Sequence, residues 1–220
     1  MAFGALIFDM DGTIVDNMRF HDDAWEIWHR KHHLPFDKAT FFSRTAGRTN
    51  AEILGEYFPK RSPEELVALS EDKEALYEEA FKPHVAPVRG LLDLMAKADA
   101  AHVPMAVATA APPRNIAVVL DPIGIRNRFA TIVSPSQGYR GKPHPDIFLV
   151  AAERMGVKPA DCLVFEDAPL GIEAARRAGM KAVAVLTMLK AEAFAHFDNV
   201  IAAVHDFGEL DADRLLRKVV

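Results

Sequence analysis

The chain has 220 residues, half of them hydrophobic and 26% charged, with a formal net charge of −5 and a single cysteine, Cys162. That length suits one large domain, or a core domain carrying a smaller insert. The negative balance removes the electrostatic reason for a nucleic-acid partner, the lone cysteine excludes an internal disulfide framework, and no apolar run is long enough to span a bilayer. The N-terminus lacks a basic region followed by an apolar segment and a cleavage site, so a cytoplasmic protein is expected.

Along the chain, the apolar run at residues 5–8 reads as a strand buried on both faces, and it ends at Asp9 in the turn Asp9-Met10-Asp11-Gly12-Thr13. Two carboxylates two residues apart at such a tip repel each other unless a cation or proton sits between them. The period then becomes helical, with Phe20, Ala24, Ile27 and Trp28 three and four residues apart, until Leu34-Pro35 closes the helix. Further helices are expected over 50–58 and 63–81, the latter opened by Ser62-Pro63-Glu64-Glu65 with a capping serine, an early proline and early acids. Residues 82–88, with two prolines, read as a linker. Residues 17–83 therefore read as a small all-α insert, and residues 1–16 with 84–220 as an α/β core.

Strand and helix alternate beyond the linker. Helices are expected over 89–101, 112–120, 145–155 and 170–178, weakly near Ala191, and from about Asp211 to the end. Strands are expected over 104–108, 131–133, 163–165 and 181–186, with an edge strand over 200–203. Strands joined by crossover helices imply a parallel sheet with helices on both faces.

The strands end in polar residues of a useful kind: Asp9 and Asp11, then Thr109 with Ala110 behind it, then Glu166 and Asp167, while Lys142 precedes the helix at Pro145. In a parallel sheet these ends share one edge, where the groups can converge. Each has a plainer reading taken singly: Thr109 can merely end a strand, Lys142 can be a solvated loop lysine, and Glu166-Asp167 can cap the next helix. Together they suit phosphoryl transfer through a covalent intermediate. Asp9 would attack a phosphate monoester, Asp11 would serve as acid and then base, and Lys142, Thr109 and the Ala110 N–H would hold the phosphoryl oxygens. Asp9, Asp167 and Glu166 offer the hard oxygen ligands that Mg²⁺ prefers.

Asp9-Met10-Asp11-Gly12-Thr13, Thr109-Ala110, Lys142-Pro143 and Phe165-Glu166-Asp167, followed by Gly171 to Ala175 and Ala178-Gly179-Met180, resemble the motifs of the haloacid dehalogenase superfamily in their expected order. The likeness is to its β-phosphoglucomutase-like and phosphoglycolate-phosphatase-like hydrolases with a helical cap, and it covers essentially the whole chain. It implies a Rossmann-like sheet closed by the cap, the same residue roles, and a metal that also takes the backbone carbonyl of Asp11. In the mutase branch a histidine on the first cap helix assists catalysis, and His21 matches it. That branch also holds a distal phosphate with a cap Gly-x-x-Arg pattern, where this chain has Gly47-Arg48-Thr49-Asn50, and follows its second motif with Ser-Lys-Asn, where this chain has Ala111-Pro112-Pro113-Arg114.

These departures weaken the grip on a second phosphate and favour a phosphatase over a mutase, although Arg48 or Arg114 can compensate. The expectation is a Mg²⁺-dependent phosphatase of a small phosphorylated metabolite, most simply a sugar phosphate, acting as a monomer or weak dimer without nucleic-acid or membrane partners. A sugar-phosphate mutase is the alternative, and a non-enzymatic phosphoacceptor domain a more distant one. His29, His32 and His33 read as a solvated polar face rather than a metal site, and Trp25 and Trp28 as cap packing.

Overall fold

A computed structural model of the chain describes residues 2–216. Its centre is a six-stranded, wholly parallel sheet of β1 (Ala5–Phe8), β2 (Met105–Ala108), β3 (Thr131–Val133), β4 (Cys162–Glu166), β5 (Lys181–Val185) and β6 (Val200–Val204), in the order β3-β2-β1-β4-β5-β6. The strands β1, β2 and β4 are buried along their whole length. Helices α5 (Leu91–Ala100), α6 (Pro113–Ile123), α7 (Asp146–Met155) and α8 (Pro169–Arg177) alternate with the strands, and a short α9 (Ala212–Leu215) follows β6.

The two-residue period of the strands divides their side chains between two cores. Leu6 and Phe8 join Phe165, Leu94, Met95 and Val119 on one face. Ala5 and Ile7 join Val164, Phe148, Ala151 and Ile172 on the other. On the first face Phe8 stacks on Phe165 with centroids 4.9 Å apart and planes 11° from parallel, which ties the two strands that meet at the site.

Four helices lie between β1 and α5 in the chain: α1 (Met18–Lys31), α2 (Lys38–Thr45), α3 (Asn50–Tyr57) and α4 (Pro63–Phe81). They surround their own apolar cluster of Trp25, Trp28, Phe41, Ile53 and Leu54. Both α3 and α4 begin with a capping box, Thr49 with Glu52 and Ser62 with Glu65, so each first turn satisfies its own amide donors. The two chain passages joining this group to the sheet run side by side: Val15 pairs with Pro87, and Val88 N–H donates to the Ile14 carbonyl at 2.8 Å.

Several expectations need correction. Helix α2 lies where no element was expected, and α1 ends at Lys31, before Leu34-Pro35. The buried face of α1 is Ala24, Trp25, Trp28 and His29, whereas Ile27 is 46% exposed. His29 is not solvated. It is fully buried among Trp25, Phe36, Phe41 and Tyr57, with its Nδ1 2.7 Å from the Trp25 carbonyl, and burial holds its pKa below the ordinary value. The segment near Ala191 is a short 3₁₀ turn, Ala191–Phe194. The closing helix is described only as Ala212–Leu215, and the last part of its expected span lies outside the described residues. Among the described residues no helix is long and apolar enough to cross a membrane.

Candidate active site

Asp9 follows β1 directly, and its N–H donates to the Phe165 carbonyl of β4 at 2.9 Å, so its place is set by the sheet ladder. Thr109 follows β2 and its N–H donates to the Val133 carbonyl at 3.1 Å. Glu166 is the last residue of β4, and Asp167 comes next. The adjacency of β2, β1 and β4 brings these residues, separated by up to 158 positions, to one edge of the sheet. Lys142 reaches the same point from the loop between β3 and α7.

Lys142 Nζ donates to Asp9 Oδ1 at 2.5 Å and to Glu166 Oε1 at 2.8 Å, and all three residues are buried. Burial alone would lower the Lys142 pKa, but the flanking charges of Asp9 and Glu166 outweigh it and hold it above the ordinary value. Oxygens of Asp9, Glu166 and Asp167 all lie within 4.8 Å of one another. Burial, then repulsion from Glu166, pushes the Asp9 pKa up to about 8 despite Lys142. The same two causes, with Asp9 adding to them, raise Asp167. One ammonium facing three buried carboxylates leaves a deficit of positive charge, and the all-oxygen donor set matches a hard divalent cation.

The surrounding backbone is shaped to this cluster. Gly12 turns with φ of +80°, and a Cβ there would lie 2.1 Å from Asp167 Oδ2. A Cβ at Gly171, in the first turn of α8, would fall 1.5 Å from Glu166 Oε1. Both carboxylates occupy space that any other residue at these glycines would fill.

Asp11 stands at the cleft side of the turn, with its side chain 17% exposed. Asn17 positions it: the Asn17 side chain accepts from Gly12 N–H at 3.0 Å and donates to Asp11 Oδ1 and to Tyr77 Oη, each at 2.6 Å. His21 Nε2 lies 3.5 Å from the same Asp11 oxygen. The His21 ring stacks on Tyr77 at 3.8 Å, and its Nδ1 is 2.7 Å from Lys73 Nζ.

Sheet edge and helical group together line an open-mouthed cavity between them. Asp9, Asp11, Thr109, Ala110, Lys142 and Asp167 line its floor, and His21 of α1, Gly47 and Arg48 of the connection between α2 and α3, and Asn50 of α3 line the opposite side. Glu166 lies behind the floor, against Lys142. Arg114 is placed elsewhere. Its guanidinium is taken by Glu78, at 2.5 Å, and by Glu71, so it joins α6 to α4 rather than facing the cavity. Sequence reasoning also missed the roles of Asn17, Lys73, Glu74, Tyr77 and Asn115. Lys73-Glu74 reads as a charged helix face, and only packing reveals both as 1% exposed.

The family model described as haloacid dehalogenase-like hydrolase matches residues 3–179. The chain belongs to this family of hydrolases. It is 32% identical over 195 residues to validoxylamine A 7'-phosphate phosphatase of Streptomyces hygroscopicus subsp. limoneus, covering 87% of this chain and 90% of that protein. It is 34% identical over 183 residues to the fructose-1-phosphate phosphatase YqaB of Escherichia coli (strain K12), covering 83% and 96% respectively. The crystal structure of β-phosphoglucomutase from Clostridium difficile superposes with a TM-score of 0.82 at 27% identity, covering 96% of this chain and 95% of that one.

Proposed function

We infer that this hydrolase is a cytoplasmic, Mg²⁺-dependent phosphatase of a small phosphorylated sugar-like metabolite, working through an aspartyl phosphate on Asp9, with residues 17–83 as the cap over the site. The observation that carries this reading is the convergence of Asp9, Asp11, Thr109, Lys142, Glu166 and Asp167 at one end of the cavity. Named phosphatases among the relatives support it.

Asp9, Asp167 and Glu166, with the backbone carbonyl of Asp11, would hold Mg²⁺. Bound there, the ion supplies the positive charge that lets a carboxylate approach a phosphate dianion. The Asp9 carboxylate then attacks phosphorus, and the bond to the ester oxygen breaks. Asp11 gives its proton to the departing alkoxide. In the second half, Asp11 takes a proton from water as that water attacks the aspartyl phosphate, releasing inorganic phosphate and restoring Asp9. Lys142 stays charged between Asp9 and Glu166 and can hold a phosphoryl oxygen, with the hydroxyl of Thr109 and the N–H of Ala110, also on the cavity floor, as further donors to it. Asn17 keeps Asp11 beside the nucleophile rather than turned to solvent.

Phosphate release across a panel of sugar and small-acid phosphates with Mg²⁺, beside an Asp9→Asn control, tests the reading. The expected result is turnover of a preferred ester, lost on chelation and reduced more than about a thousandfold in the control. No release from any ester overturns it. Conversion of β-glucose 1-phosphate to glucose 6-phosphate with trace bisphosphate would assign the mutase reaction instead.

A further inference from the structure

The cavity wall opposite the sheet edge carries a charge pattern that the hydrolysis of a phosphate ester does not itself require. Glu74 of α4 lines the cavity and is 1% exposed, yet it is an acid in a site that must admit an anionic substrate. It is held by Lys73 Nζ at 3.0 Å, by Asn115 Nδ2 at 2.5 Å, and by Asn50 Nδ2. Burial opposes its charge, but the Lys73 ammonium, the nearby His21 ring and the two amide donors overcome that and bring its pKa down to about 2. Glu74 is therefore a fixed negative charge at neutral pH.

The cations on this side are already committed. Lys73 is paired with Glu74. Arg48 donates to Glu56 at 2.7 Å and to the backbone carbonyls of Arg44 and Glu52. Asn50, the next polar residue on this side, donates to Glu74.

A second observation concerns what the wall offers. Asn115 is 1% exposed and lines the cavity. Its Nδ2 donates to Glu74, which can only accept, so the amide orientation is settled and Oδ1 is the remaining group. That Oδ1 is a buried acceptor with no hydrogen-bond partner among the described residues. An unpaired buried acceptor calls for a donor, which a hydroxyl supplies and a phosphate dianion or a carboxylate does not.

We propose that Glu74 and Asn115 are specificity-determining residues that select monophosphates whose far end is an uncharged, hydroxyl-bearing group, Asn115 Oδ1 accepting from a substrate hydroxyl and Glu74 repelling a second phosphate or carboxylate. This rests on the phosphatase reading and narrows its substrate class. It also gives a physical reason for water, rather than a second phosphorylated sugar, to accept the phosphoryl group. A mutase cycle must hold a bisphosphate with its distal phosphate against this wall.

The test compares fructose 1-phosphate with fructose 1,6-bisphosphate, and glucose 6-phosphate with glucose 1,6-bisphosphate. Two readouts are taken: kcat/KM of the wild type, and calorimetric binding to the Asp9→Asn protein, which needs no turnover. The wild type is expected to favour each monophosphate at least tenfold in both. Glu74→Gln, nearly isosteric and neutral, is expected to shrink that ratio at least tenfold, and Asn115→Leu to weaken the monophosphate while leaving bisphosphate binding within about twofold. Equal wild-type affinity for mono- and bisphosphates overturns the proposal, as does an unchanged ratio in a folded Glu74→Gln protein. If that variant fails to fold, the wild-type ratio and the Asn115→Leu binding data decide. Absence of hydrolysis from every ester overturns the phosphatase reading, while the binding ratio still decides this one.

Discussion

Gly171→Ala is the sharpest structural test of the carboxylate cluster, because ordinary helix energetics predict the wrong sign for it. Replacing glycine by alanine within a helix stabilises by up to about 1 kcal/mol. In the first turn of α8, however, the new Cβ would lie 1.5 Å from Oε1, 2.2 Å from Cδ and 2.4 Å from Cγ of Glu166. Glu166 is fully buried and pinned by Lys142 Nζ at 2.8 Å and by the Asp167 N–H at 3.1 Å, so it cannot swing aside without losing both. Breaking a buried ion pair costs about 3–5 kcal/mol, which leaves a net loss of roughly 2–4 kcal/mol. For a chain of this size that corresponds to a fall in Tm of roughly 5–15 °C. The Mg²⁺ concentration for half-maximal phosphate release should also rise at least about tenfold, because a donor carboxylate is displaced. Gly55→Ala in α3 is the matched control. Its Cβ would meet only Leu66 Cδ1 at 3.8 Å, so it should be stabilised by about 0.5–1 kcal/mol. Calorimetric melting of both variants with and without Mg²⁺ reads the contrast. A Gly171→Ala protein that melts at or above the wild-type temperature with unchanged Mg²⁺ dependence would refute the packing argument.

Two further substitutions follow from the same geometry. Asn17→Ala removes the amide donor to the buried Tyr77 hydroxyl and frees Asp11, while the Gly12 N–H keeps the Val15 carbonyl as acceptor, so kcat should fall by roughly 10–100-fold through the proton-transfer steps with a smaller change in KM. An unchanged kcat would show that Asp11 needs no such support. Glu74 governs acid stability, since its folded pKa of about 2 lies below the ordinary 4.5. Its ionisation therefore stabilises the protein above pH 4.5, by about 3 kcal/mol at full effect, and that contribution is lost as the pH falls toward 2. The stability gap between wild type and Glu74→Gln, measured by urea unfolding, should be constant from pH 7 to 5 and shrink below about 4.5. A gap that persists unchanged to pH 3 would contradict this.

Much of the reaction centre is legible in the sequence. Asp9, Thr109, Glu166 and Asp167 stand at the ends of short apolar runs, and a parallel sheet must gather such ends on one edge. Local capping chemistry is readable for the same kind of reason: Ser62, Pro63 and Glu65 open α4 through contacts within one turn. The helical region is harder. Ile27 and Trp25 both lie on α1 within one turn of the buried Trp28, and the apolar pattern alone favours the wrong one. His29 carries a polar label but fills an aromatic cluster, where one backbone carbonyl satisfies its Nδ1. Arg114 reads as available for a substrate because its partners, Glu71 and Glu78, lie 43 and 36 residues away.

The sequence by itself determined the α/β alternation, the order of the motifs and the polar residues that end the strands, because each rests on periodicity or on chemistry carried by a few adjacent residues. Tertiary structure decided which polar residues are buried and which charges cancel. Asn17 reaches Asp11 and Tyr77 together only when α1 and α4 pack at the end of β1. Lys73, Glu74, Asn50 and Asn115 form one network only when α3, α4 and α6 meet. Desolvation and pairing depend on what surrounds a side chain in three dimensions, so the polar residues that end the strands are readable along the chain, and the buried polar network on the opposite wall of the cavity is visible only in the fold.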